Sequence, residues 1–170
     1  LGTAGVEITT PFSSSTTTEN GGTVSTKVRL KSAPLSPVTI TLNSSDTQEG
    51  TVSPTVLTFN KDNWDSYVSI IVTRVDDDIA DGSQSYEIQI ASVVSEDSKY
   101  SALNGQIDPI KLQNEDDEIK AIVLGSLSGD TTEAGGNATF SVKLASKPIE
   151  AVPIPIISTD TSEGIVSVSS

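Results

Sequence analysis

The sequence contains no cysteine, no histidine and no methionine. These absences exclude disulfide bonds, thiolate and imidazole ligation of soft metals, and acid–base catalysis by imidazole. Aromatic residues are also few, with one Trp, three Tyr and three Phe. Ligand clefts are usually lined with aromatic side chains, so this scarcity counts against an enzyme cleft. Oxygen ligation of hard cations is the metal chemistry that remains.

Basic residues are scarce as well, because 10 Lys and Arg face 23 Asp and Glu, for a formal net charge of −13. A chain with this charge is repelled by nucleic acid and by anionic membrane surfaces. No hydrophobic run approaches the roughly 18 residues that a membrane-spanning helix needs. We therefore expect no nucleic-acid partner and no direct membrane insertion, and we expect cations to be the natural partners.

The chain repeats itself at a constant offset of 114 residues, since residues 17–53 match residues 131–167 without a gap. Identical pairs include Glu19 and Glu133, Asp46 and Asp160, and Gly50 and Gly164. A period of this length is a whole domain, so the sequence predicts a module at 1–117 and the first half of a second, truncated module at 118–170. Half a sandwich leaves an apolar face uncovered. Either the parent chain continues or a strand from a neighbouring chain completes the sheet.

Short segments of alternating polarity, separated by clusters of Gly, Pro, Asn, Asp and Ser, predict strands with one wet face. The predicted strands are 6–12, 23–31, 38–44, 56–59, 67–75, 85–94 and 107–114. No window has the 3.6-residue period of an amphipathic helix. The sequence therefore predicts an all-β fold, a seven-stranded Greek-key (immunoglobulin-like) β-sandwich in a tandem repeat with a period of 114 residues.

Acidic residues concentrate at the ends of the predicted strands. The clusters are Glu19, Asp46 with Glu49, residues 76–81 and residues 115–118. Loops after alternate strands of an antiparallel sandwich share one end, so these clusters are expected to converge. Gathered carboxylates repel one another unless a cation lies among them, and oxygen-only ligation suits Ca²⁺ better than Mg²⁺. The alternative is that acidic turns merely solvate the loops of an acidic protein.

Three motifs resemble the Calx-β family, known from sodium/calcium exchangers, integrin β4 and many large extracellular proteins. TENGGT follows the first predicted strand, VDDDIADG follows the fifth and LQNEDDE closes the last, in the order and spacing of the family's motifs. The resemblance covers the first module to about residue 117 and the front half of the second. It implies Ca²⁺ as the cofactor. The metal ligands that it implies are Glu19, Asp46, Asp77, Asp78, Asp81, Glu115, Asp116 and Asp117, with Glu133 and Asp160 in the second module.

Two positions depart from the family's pattern. The usual Asp-Tyr after the third strand is absent, and Gln84 stands where a further Glu is expected after the fifth. The resemblance therefore implies fewer bound ions than a full Calx-β cluster holds. The final acidic run is also the linker into the second module, where a calcium ion would stiffen the joint.

We expect a non-catalytic, calcium-binding repeat that acts as a rigid structural or adhesive spacer in a secreted, surface-exposed or filamentous protein. Its partners would be neighbouring repeats of the same chain and, by strand complementation, neighbouring subunits. The alternative is a regulatory calcium sensor of a transporter or signalling protein. Catalysis is not expected, because a Ser or Thr nucleophile lacks a His base and a paired-carboxylate glycosidase needs an aromatic-lined cleft.

Overall fold

The computed structural model describes residues 2–9 and 16–168. The chain divides into two compact units, Leu1–Ile119 and Lys120–Ser170, where the sequence predicted a boundary between residues 117 and 118. No helix in the described part of the chain is long and apolar enough to cross a membrane.

The described residues of the first unit form nine strands and one short helix. They are β1 (Val6–Ile8), β2 (Thr16–Thr18), β3 (Thr23–Leu30), β4 (Val38–Ser44), β5 (Gly50–Ser53), β6 (Val56–Phe59), β7 (Val68–Arg74), β8 (Gln84–Ser95), α1 (Ser98–Ser101) and β9 (Ile110–Glu115). One sheet has the strand order β1-β3-β7-β5 and the other has the order β2-β9-β8-β4-β6. Neighbouring strands are antiparallel except β2 and β9, which are parallel.

The fold is all-β, and each of the seven predicted strands has a counterpart in the first unit. The structure adds β2 and β5, so the described unit has nine strands rather than seven. Both additions are three or four residues long, too short to produce a clear alternating pattern. Residues 10–12 of the predicted first strand lie outside the described residues. The single turn of α1 was also not predicted.

The two sheets of the first unit share one hydrophobic core. Alternate residues of β3 and β4 face inward, and Leu30, Val38 and Ile40 are at most 1% exposed. Phe59, Ile70 and Ile88 pack into the same core from other strands. Because β4, β7 and β9 contribute side chains to this core, the core fixes the loops that follow them. β2 is held instead by its pairing with β9.

The described part of the second unit contains one short two-stranded sheet and a turn at Asp160. β10 (Ile122–Leu124) pairs antiparallel with β11 (Val142–Leu144), as β1 pairs with β3. Leu144, the counterpart of Leu30 at the 114-residue offset, lies opposite Ile122, whereas Leu30 lies opposite Val6, so the register differs between the two units. The turn at Asp160 also repeats the turn at Asp46. In each, the backbone carbonyl accepts a hydrogen bond of 3.1 Å from the amide of the glycine four residues later.

Apolar side chains of the second unit are exposed where their counterparts in the first unit are buried. Val152 is 49% exposed, whereas Val38 is fully buried, and Ile156 is 37% exposed against 3% for Leu42. In the first unit, β4 holds Val38 and Leu42 and lies between β6 and β8.

Candidate metal centre

Four carboxylates meet at one end of the first unit. Glu19, Asp76, Asp117 and Glu118 each offer one oxygen, and these oxygens all lie within 4.8 Å of one another. Glu19 is buried, Glu118 is half-buried, and Asp76 and Asp117 are exposed. Together they form the four-carboxylate group, with ligands supplied after β2, β7 and β9.

Glu19 reaches this group because the backbone turns sharply after β2. Its amide donates a hydrogen bond of 2.8 Å to the carbonyl of Glu115, which extends the parallel pairing of β2 with β9 by one residue. Gly21 and Gly22 then adopt φ angles of 79° and 124°, a region that side chains other than glycine rarely enter. The two glycines let the chain reverse into β3 while the Glu19 side chain stays inside.

Glu19 Oε2 is buried and accepts no hydrogen bond within the described residues. A buried carboxylate oxygen without a partner is costly, because the lost hydration is not replaced. Oε2 of Glu118 is in the same condition. Two such oxygens therefore belong to the same four-carboxylate group.

The electrostatics of the cluster favour the neutral form of its buried acids. The pKa of Glu19 is raised to about 7, mainly by burial and in addition by the charges of Glu49, Asp77, Glu118 and Asp116. Burial also raises the pKa of Glu49, as do Asp46, Asp81 and Asp77, although a hydrogen bond from Asn114 opposes this shift. Burial is likewise the main cause of the raised pKa of Glu118, followed by its hydrogen bond with Asp116.

Three predicted ligands of this end shape its loops through backbone hydrogen bonds. Asp46 Oδ1 accepts from the amide of Gln48 at 2.9 Å, and Asp77 Oδ1 accepts from that of Ile79 at 2.6 Å. Asp116 accepts from Gly82 through Oδ2 and from Glu118 through Oδ1, which ties the loop after β7 to the end of β9. These aspartates form turns beside the four-carboxylate group.

The structure brings together part of the predicted ligand set. Glu19 and Asp117 belong to the four-carboxylate group, and Asp46, Asp77, Asp81 and Asp116 lie near enough to affect the pKa of Glu19 or Glu49. Asp78 is exposed and outside the group. Glu115 is also outside it, because its side chain is exposed on the outward face of β9.

The predicted ligands of the second unit, Glu133 and Asp160, are both exposed. Asp160 accepts hydrogen bonds from the amide and the hydroxyl of Ser162, and these interactions lower its pKa. Within the described residues of this unit, no three acidic groups come together as in the first.

The sequence-based ligand set omitted four residues of the site. Asp76 and Glu118 flank predicted ligands, and their membership depends on loop conformation that an acidic run does not reveal. Glu49 lies before β5, a strand that was not predicted. Asn114 was detectable, because it continues the inward alternation of Ile110 and Leu112 along β9 as a polar residue at a core position.

The residues present fit a hard cation. All members of the four-carboxylate group offer oxygen, the donor that Ca²⁺ takes from Asp and Glu side chains. A cation would supply the missing partner of the buried oxygens and offset the mutual repulsion of the carboxylates. Glu19, Asp76, Asp117 and Glu118 are the residues that would hold it.

No protein-family model matches the chain, and no curated protein sequence matches it. Among solved structures, it is similar to SSP-19, an MSP-domain protein like family member from Caenorhabditis elegans, at 12% identity and a TM-score of 0.35, covering 59% of this chain and 91% of that one. It is also similar to WR4, a C. elegans MSP family member, at 11% identity and a TM-score of 0.37, covering 67% and 97%. At these TM-scores neither neighbour bears on the site or on function.

Proposed function

We propose that the chain is a non-catalytic, calcium-binding β-sandwich module of the Calx-β type, followed by part of a second copy. In this proposal the first unit is a Greek-key, immunoglobulin-like sandwich to which β2 and β5 are short additions. The calcium site is the four-carboxylate group, supported at its edges by Asp46, Asp77, Asp81 and Asp116.

The buried, unpartnered oxygen of Glu19 is the observation that carries the proposal. Solvated acidic turns are common on acidic proteins, but they keep their carboxylates in water. Glu19 instead lies inside the fold, among three further carboxylates. Near neutral pH, a divalent cation would offset the repulsion among these carboxylates better than protonation of Glu19 would, because it also neutralises the exposed Asp76 and Asp117.

The proposed role of the ion is to stiffen a surface-exposed or filamentous protein at the ends of its modules. Asp117 and Glu118 are among the last residues of the first unit, so an ion that they bind fixes the backbone leading out of that unit. The 114-residue repeat and the repeated turns at Asp46 and Asp160 support an array of similar modules. An extracellular location is part of the proposal because the resembled family occurs in many large extracellular proteins. Completion by neighbouring strands is part of it because apolar side chains of the second unit, such as Val152, are exposed.

Thermal unfolding of the full chain, in EDTA and then in a Ca²⁺ titration, tests the proposed site. Because calcium binds the folded state, Tm is expected to rise with calcium concentration. A variant with Glu19→Gln and Asp117→Asn is expected to lose most of this rise. Asp108→Asn is the matched control for charge, since the exposed Asp108 precedes β9 and lies away from the end that carries the cluster.

Either of two results would contradict the calcium site. One is a parent Tm that is the same in EDTA and in calcium. The other is a calcium-dependent rise that persists unchanged in the double variant, which would place binding elsewhere. Amide hydrogen exchange separately tests the stiffening role: residues 116–119 should exchange more slowly with calcium than with EDTA, and equal rates would count against a spacer.

A further inference from the structure

Asn114 is a polar side chain at a core position. It follows Ile110 and Leu112 in the inward alternation of β9, and it is fully buried. An amide buried at the end of a hydrophobic core costs stability unless its hydrogen bonds are made. The hydrogen bonds that Asn114 makes therefore have to offset the cost of its burial.

The amide of Asn114 contacts both buried glutamates at this end. Its Nδ2 donates to Oε1 of Glu19 at 3.4 Å and to Oε2 of Glu49 at 3.2 Å. The same nitrogen lies 3.1 Å from the carbonyl oxygen of Val75 and 3.4 Å from that of Glu49. Val75 follows β7 and Glu49 precedes β5, so Asn114 joins the end of one sheet to the end of the other.

The two oxygens of the Glu19 carboxylate have different surroundings. Oε1 is held by Asn114, whereas Oε2 is buried without a hydrogen-bond partner in the described chain. A ligand whose second oxygen is fixed by a neutral donor keeps its orientation whether or not a cation is bound. A donor also partly offsets the charge of the buried carboxylates without competing for the cation's position.

We propose that Asn114 is the positioning residue of the cation site: it holds Glu19 and Glu49 in place from the core side and leaves Glu19 Oε2 available to the ion. The inference rests on the proposed function, because it assigns a role in the same site. Asn114 itself is not a ligand in this arrangement.

Two substitutions of Asn114 separate positioning from simple core packing. Asn114→Leu removes the donor, fills the space with an apolar side chain and should weaken calcium binding about 10- to 100-fold, the usual cost of losing a residue that orients a metal ligand. Asn114→Asp replaces the donor with a further carboxylate. It should lower Tm in EDTA and widen the difference between Tm in calcium and Tm in EDTA.

The full chain, both variants and Gln113→Glu are compared by calcium titration calorimetry and by Tm in EDTA and in calcium. Gln113→Glu adds the same charge on the neighbouring outward-facing position of β9, so it controls for net charge. If the role of Asn114 were only to pack the core, its substitution would lower Tm equally in EDTA and in calcium. The calcium Kd of the folded protein would then be unchanged.

The inference is overturned if Asn114→Leu binds calcium with the parent's Kd. If Asn114→Leu does not fold, Asn114→Asp decides: a Tm difference no wider than that of Gln113→Glu overturns it. A parent that does not respond to calcium overturns the proposed function and this inference together. A calcium-responsive parent whose Asn114 variants keep its Kd overturns the inference alone.

Discussion

Glu19 is the residue at which burial and charge conflict most directly. Its pKa is raised from an ordinary 4.5 to about 7. In EDTA, between these two pH values, Glu19 therefore stays protonated in the folded state but is ionised in the unfolded chain. The contribution of the Glu19 carboxyl to the free energy of unfolding is fully present below about pH 4.5 and is lost as the pH rises toward 7. One such group lowers the free energy of unfolding by at most about 1.4 kcal/mol per pH unit.

Urea unfolding in EDTA across this pH range measures how the free energy of unfolding falls as the pH rises. Glu19→Gln should make the fall shallower, though it should not abolish it, because the pKa values of Glu49 and Glu118 are raised too. Asp108→Asn should keep the parent's slope. If Glu19→Gln and the parent lose stability equally as pH rises, the Glu19 carboxyl does not have the raised pKa.

Gly50 is glycine because the buried ring of Tyr86 leaves no space for a side chain there. A Cβ added there would lie 2.6 Å from Cε2, Cζ and the hydroxyl oxygen of Tyr86, a ring that is only 2% exposed. Gly50→Ala should therefore cost about 1 to 3 kcal/mol by overpacking, measured by urea unfolding of the full chain.

Gly164, the repeat counterpart of Gly50, is the matched control for this substitution. Apart from its chain neighbours, no atom of the described residues lies within 4 Å of a Cβ added at Gly164, so Gly164→Ala should change stability by less than about 0.5 kcal/mol. Equal effects of the two substitutions would show that contact with Tyr86 is not the cause.

At the scale of elements, α1 depends on one carboxylate. Asp97 caps the helix by accepting from the amide of Lys99 at 3.0 Å, and it also accepts from the amide of Leu35 at 2.9 Å, which ties α1 to the segment between β3 and β4. The Leu35 hydrogen bond is the main cause of the lowered pKa of Asp97. Asp97→Ala should therefore lower Tm by several degrees at neutral pH.

The sign of the pKa shift at Asp97 fixes the pH dependence of this loss. Stability from a carboxylate with a lowered pKa is present above its unfolded value of 3.8 and is lost as pH falls through the folded value. The Tm difference between parent and Asp97→Ala should therefore shrink in acid. Glu96→Ala, at an exposed neighbouring position, should leave Tm nearly unchanged, and a similar loss there would contradict the capping role.

The long strands were predictable because one face of each is buried. In β3, inward Val24, Val28 and Leu30 alternate with exposed or half-buried residues, and that pattern is visible in the sequence. β2 and β5 escaped prediction because they are held by pairing with β9 and β7 rather than by an alternation of their own. α1 was not predicted because one turn of helix has no measurable periodicity.

At the scale of the whole molecule, strand polarity predicted the end at which the acids meet but not the ligand set. The acidic clusters at Glu19, at residues 76–81 and at residues 115–118 were expected at the same end, and the four-carboxylate group draws on all three. Which oxygens face inward depends on turns such as those at Asp77 and Asp116. The role of Asn114 depends on contacts between two sheets, and no local pattern encodes those contacts.

Calorimetric titration of Ca²⁺ into the EDTA-stripped full chain tests the calcium site most directly, with the Glu19→Gln, Asp117→Asn variant and Asp108→Asn alongside. The account predicts saturable binding in the parent and in Asp108→Asn, and binding that is strongly weakened or absent in the double variant. Heats that match dilution in the parent, or equal binding by the parent and the double variant, would contradict it.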